Sequence, residues 1–103
     1  MTRKLYDIAV ARSGDKGSAA NIGVIARDPA HYEVLRRLVT ADKVEAFFKP
    51  MGVGKVIRYE LPNLGALNFI LPDILQGGGS LNLRIDAQGK ALGQALLEME
   101  IDA

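Results

Sequence analysis

Cysteine is absent from these 103 residues, which removes disulfide frameworks, thiolate metal sites and thiol nucleophiles together. That absence fits a reducing compartment, so the cytoplasm is the expected location. Histidine occurs once, as His31, and serine only as Ser13, Ser18 and Ser80. No serine stands in a Gly-x-Ser-x-Gly elbow, and His31 falls in the first turn of an expected helix beside Pro29, a surface position rather than that of a general base. With one imidazole and no thiolate, a metal site would have to be built mostly of carboxylates, so neither a metal nor a cofactor is expected. Long apolar runs are missing too. The longest candidate, Leu64 to Leu75, contains Asn68, Pro72 and Asp73, well short of the roughly 20 apolar residues that span a bilayer. The basic start Met1-Thr2-Arg3-Lys4 leads into a run broken by Asp7 and Arg12, so no signal-peptide core follows. Neither sign of charge is in excess: 13 Lys and Arg against 12 Asp and Glu leave a net charge of +1. With three tyrosines, three phenylalanines and no tryptophan, the chain offers neither a basic stripe nor a stacking platform for nucleic acid.

What is present is an ordinary globular composition, 49% hydrophobic and 24% charged. No repeat and no Pro- or Ser-rich linker divides it, so residues 1–103 are expected to form one domain. Leu5 to Ala11 reads as a strand with Tyr6, Ile8 and Val10 toward the core and Leu5, Asp7, Ala9 and Ala11 on the other face. Ala20 to Ala26 is a second strand, with Ile22 and Val24 opposite Asn21, Gly23 and Ile25, and a glycine-containing loop allows the two to pair antiparallel. Asp28-Pro29 is a helix start, followed at helical spacing by Tyr32, Leu35 and Val39, with Arg36 and Arg37 on the solvent side. Thr40 can cap a second helix whose stripe is Val44, Phe47 and Phe48, ended by Pro50 and Gly52. Lys55 to Leu61 alternates, Ile57, Tyr59 and Leu61 against Val56, Arg58 and Glu60. Asn63 can cap a helix carrying Leu64, Leu67, Leu71, Ile74 and Leu75, kinked at Pro72; a strand through Leu67, Phe69 and Leu71 competes with it. Gly77 to Ser80 reads as a loop, Leu81 to Ile85 as a strand and Asp86 to Gly89 as a turn, before a final helix marked by Leu92, Leu96 and Met99. These elements predict an α+β two-layer sandwich, a small mixed sheet covered by helices on one face.

The stretch from Ala11 to Ile22 gathers Arg12, Asp15, Lys16 and Asn21 around Gly14 and Gly17. Gly14-Asp15-Lys16-Gly17 has the GXXG spacing of KH domains, which place it between helices; here it follows a strand. Gly89-Lys90 lacks both the first glycine and the hydroxyl of a P-loop. The glycine run Gly77-Gly78-Gly79 admits either a close backbone approach or a plain turn. Acid–base candidates reduce to Asp7, Asp15, Lys16, Arg58 and Glu60. The face of Val56, Arg58 and Glu60 reads as solvated, or as a polar docking surface built on an ion-pair network.

Taken together, Ala11–Gly17 with Asn21, the block Arg58-Tyr59-Glu60-Leu61-Pro62-Asn63-Leu64-Gly65-Ala66-Leu67-Asn68-Phe69, the run Gly77–Ser80 and the block Arg84–Lys90 resemble the AtuA-like ferredoxin-fold family over nearly the whole chain. The resemblance implies a ferredoxin-like sandwich, and a stand-alone form of a domain that elsewhere is the C-terminal part of acyclic terpene utilisation proteins. It implies no reaction that can be carried over. The resulting candidates for ligand binding or interaction are Arg12, Ser13, Asp15, Lys16, Asn21, Asn63, Asn68, Gly78, Gly79, Ser80 and Arg84. The leading expectation is an accessory subunit that docks on an AtuA-type core protein through the Arg12–Asn21 and Gly77–Ser80 loops, in catabolism of acyclic terpenoids or related acyl-CoA compounds. One alternative is a small enzyme or ligand-binding module in which Lys16 holds an acyl-CoA phosphate or carboxylate and Asp15 handles a proton. A second is a homo-oligomer that closes its open sheet face.

Overall fold

The computed structural model describes residues 2–16, 19–74 and 92–102, with Thr2, Asp15 and Lys16 described in their backbone alone. The loop expected at Gly77–Ser80, the strand at Leu81–Ile85 and the turn at Asp86–Gly89 lie outside those residues.

The chain begins with a short strand, β1 (Thr2–Lys4), and then curls into a single 3-10 turn over Leu5–Asp7. That turn changes the side-chain period from two to three. Leu5 and Ile8 are therefore buried together, while Tyr6 is 54% exposed under the guanidinium of Arg27, which lies 4.8 Å from its ring centre. The first long strand, β2 (Ala9–Lys16), starts after this turn, so Ala9 faces the core and Val10 faces out, the reverse of the predicted alternation.

Strands β2 and β3 (Ala19–Ala26) pair antiparallel from Ala9↔Ala26 to Lys16↔Ala19. The ladder runs straight through the region that the sequence pattern predicts as a loop. Its cause is β3, held on its other side by β5 (Ala66–Leu71) as far as Ala20↔Leu71, with Ala20 buried. A strand tied on both sides and anchored in the core carries its neighbour along with it.

After β3, Asp28 accepts from the Ala30 N–H at 2.9 Å and Pro29 opens a 3-10 turn that continues into α1 (Tyr32–Leu38). Thr40 caps α2 (Ala41–Phe48) by accepting from the Lys43 N–H at 3.2 Å, and Gly52, at φ 84°, ends the unit in the left-handed region. Leu35, Val39, Val44 and Phe48 are the buried stripe of this pair of helices.

Strand β4 (Ile57–Leu61) then pairs with β5 through a 3-10 turn at Pro62–Leu64 closed by Gly65 at φ 60°. The kinked helix drawn through Leu64 to Leu75 is therefore incorrect, and the competing strand reading holds: Leu67, Phe69 and Leu71 alternate into the core. Pro72 falls just past the end of β5, where it breaks no ladder bond. Residues 92–96 are helical, with Leu92 and Leu96 buried, and the chain closes in β6 (Glu100–Asp102), which pairs with β1.

The main sheet has the order β2-β3-β5-β4, and every described pairing is antiparallel, where a mixed sheet was predicted. Its inner face, with Ile22, Val24, Leu67 and Phe69 fully buried, packs against α1, α2 and residues 92–96. No described helix covers the outer face.

Candidate functional site

The register places the outward side chains of the four strands in three rows. Val10, Ile25, Ala66 and Leu61 make the first; Arg12, Gly23, Asn68 and Tyr59 the second; Gly14, Asn21, Ile70 and Ile57 the third. Across such a row neighbouring Cβ atoms stand about 5 Å apart, so side chains meet along each row except where Gly23 and Gly14 interrupt the second and third. Val10, Ile57, Tyr59 and Leu61 are exposed by 38, 45, 52 and 38%. Ile57, Tyr59 and Leu61 stand together on the edge strand β4 and leave on the order of 250 Å² open, near the size at which a monomer's largest apolar patch is often functional, while Val10 lies on the opposite edge. In the middle of the face, Asn21 Nδ2 donates to Asn68 Oδ1 over a long 3.5 Å. Arg12 is exposed beside them.

Three predicted residues, Arg12, Asn21 and Asn68, thus meet on one surface. The others do not join them. Ser13 faces inward: its Oγ accepts from the Gly93 N–H at 3.1 Å and ties residues 92–96 to β2. A Cβ on Gly93 would stand 3.2 Å from that oxygen, so the glycine is what lets the helical segment come so close. Asn63 sits at the end of the sheet, on a cavity of about 300 Å³ shared with Ala26, Pro29, Tyr32, Leu64 and Gly65. The backbone of Asp15 and Lys16 belongs to the hairpin, not to a loop; their side chains, and Gly78, Gly79, Ser80 and Arg84, lie outside the described residues.

The polar docking surface expected at Val56, Arg58 and Glu60 is overturned. Val56 is buried, and Arg58 turns toward α1, where Nη1 donates to the carbonyls of Arg36 at 2.8 Å and Val39 at 3.0 Å. Those are free carbonyls at a helix C-terminus, which a guanidinium satisfies in both hydrogen bonding and charge. Nη2 pairs with Glu60 at 2.8 Å. The apolar set on β4, Ile57, Tyr59 and Leu61, is the one left outside.

The charged groups with perturbed acidity are peripheral. Lys4 Nζ pairs with Glu98 at 2.6 Å, and that hydrogen bond holds its ammonium above the ordinary lysine range. Arg36 forks onto Glu33 along α1 and holds that carboxyl below the ordinary glutamate range. Among the described residues no group of His, Asp or Glu is placed to hold a metal ion, and no helix is long and apolar enough to cross a membrane.

Among the described residues, an antiparallel sheet with helices on one side and none on the other gives the two-layer α+β arrangement of a ferredoxin-like domain. The chain belongs to the AtuA ferredoxin-like domain family, whose model matches residues 3–102. No curated protein and no solved structure matches it.

Proposed function

We propose that this domain is a docking module that lays its open sheet face on an AtuA-type core protein. The observation that carries the reading is the exposed strip of Ile57, Tyr59 and Leu61, with Val10 at the opposite edge, on the sheet face that no described helix covers. Apolar side chains held in register on a rigid sheet lose little freedom when covered, which favours association. The chemistry belongs to the core and the surface to this domain, and acyclic terpenoids or related acyl-CoA compounds are the proposed substrates of the assembly. Arg12, Asn21 and Asn68 supply the polar contacts that fix register within the apolar surround.

The test is co-purification and calorimetry of the chain with the core protein from the same source. Wild type is expected to bind at micromolar concentration, and Tyr59→Asp to weaken binding by at least about ten-fold, as loss of an exposed aromatic anchor does, with an unchanged melting temperature. A chain that does not associate with the core at that concentration would refute the docking role. Light scattering on the isolated chain identifies self-association through the same face, the competing outcome.

A further inference from the structure

Gly23 stands in the middle of β3, one of the two inner strands of the sheet, yet the fold does not require a glycine there. Its φ is not in the left-handed region, and a Cβ built on it meets nothing nearer than the Arg12 carbonyl oxygen, 3.9 Å away. Glycine inside a strand weakens it, and where no bulge or turn explains it, the open space over the backbone serves a close approach by another group. The space lies on the outer face. Arg12 and Asn68 flank it along the row, and Ile25 and Asn21 stand above and below it on β3.

This notch is lined with donors. Arg12 makes no ion pair among the described residues. The Asn68 amide nitrogen donates to no described group, and Asn21 spends one N–H on a 3.5 Å contact. None of the outward positions of the four strands carries a carboxylate. Packing this face on a second copy of itself would leave Arg12 without an opposite charge, so charge complementarity selects a different partner. Resting on the docking role proposed above, we infer that the notch over Gly23 seats an aspartate or glutamate side chain of the partner protein, held by Arg12 and the two asparagine amides. A guanidinium and two amides standing around an opening the width of one missing side chain can match a carboxylate in charge and hydrogen bonding.

The test uses two capped amino acids as probes, N-acetyl-glutamate N-methylamide and its glutamine counterpart, titrated into the folded chain and followed by NMR. The glutamate probe should shift the Gly23, Asn21 and Asn68 signals saturably, with the glutamine probe about ten-fold weaker, the factor expected for one charge-assisted contact. Gly23→Val should melt at the same or a higher temperature while losing the probe, and Arg12→Gln should lose it without unfolding. Equal response to the two probes, or undiminished probe binding by Gly23→Val, would overturn the inference. So would a Gly23→Ala chain less stable than wild type, since the glycine would then serve the fold. Docking on the core that survives Gly23→Val and Arg12→Gln would overturn the carboxylate seat and spare the docking role. A probe that seats in a chain that does not bind the core would do the converse.

Discussion

Replacing Arg58 by methionine keeps the apolar stem in place and deletes only the guanidinium. The Arg58 side chain is 17% exposed, and its guanidinium donates to the Arg36 and Val39 carbonyls at the end of α1, at 2.8 and 3.0 Å. A hydrogen bond from a charged donor contributes roughly 1.5–3 kcal/mol, and solvent reaches this site in part, so the pair together contributes about 2–3 kcal/mol. The Glu60 partner is 44% exposed, so its share is small. Against a typical stability of about 5–15 kcal/mol, such a loss lowers the melting temperature of a domain this size by roughly 10–20 °C.

Urea unfolding followed by circular dichroism measures the loss as a lower midpoint at unchanged slope. Arg58→Lys retains the charge but not the two-pronged reach, so it should recover part of the deficit. Docking on the core, measured at a temperature where both chains are folded, should be unaffected, because Arg58 faces the helices. A loss for Arg58→Met within about 0.5 kcal/mol, the range of inert surface changes, would refute the capping argument. A docking defect without a stability defect would return Arg58 to the outer surface.

Ser13→Ala removes the acceptor of the Gly93 N–H and leaves a partly buried donor unpaired, so it should cost about 1–3 kcal/mol by the same urea assay. Hydrogen exchange should localise that loss to residues 92–96. The Glu33 carboxyl, held low by Arg36, should titrate in NMR below the ordinary glutamate range and return to it in Arg36→Gln. Because the folded value is the depressed one, the stabilisation is present above the ordinary glutamate range and fades as pH falls through the folded value. It is absent in Arg36→Gln at every pH.

Local chemistry made part of the fold legible. Asp28, Pro29 and Thr40 mark helix starts by side-chain geometry that acts within three residues, and the structure uses each as the sequence predicts. The same holds for the Gly52 stop. Leu64–Leu75 was ambiguous because Leu67 and Leu71 satisfy a helical period while Leu67, Phe69 and Leu71 satisfy a strand period. The decision came from outside the segment, in the two partners β3 and β4 that flank β5. Strands β1 and β6 are three residues each, too short for any period to show. A single 3-10 turn at Leu5–Asp7 was enough to invert the predicted faces of the first long strand, since one change of phase moves every later side chain across the sheet.

The candidate site was half legible for a related reason. Arg12, Asn21 and Asn68 stood out as polar residues in strand-like surroundings, and pairing brought them together. Gly23 did not stand out, because a lone glycine in a strand has many explanations until its φ and its surroundings are known. On β4, alternation separates Ile57, Tyr59 and Leu61 from Val56, Arg58 and Glu60 but does not say which set faces in. Burying the more apolar set would have been the natural choice. The structure does the opposite: Arg58 turns in and donates to the carbonyls at the end of α1, a contact that favours a cation. Once Arg58 is turned inward, the parity of the strand forces Tyr59 outward at the end of the Arg12 row, with Ile57 and Leu61 in the rows on either side. The capped helix and the exposed strip are thus two consequences of one choice of face.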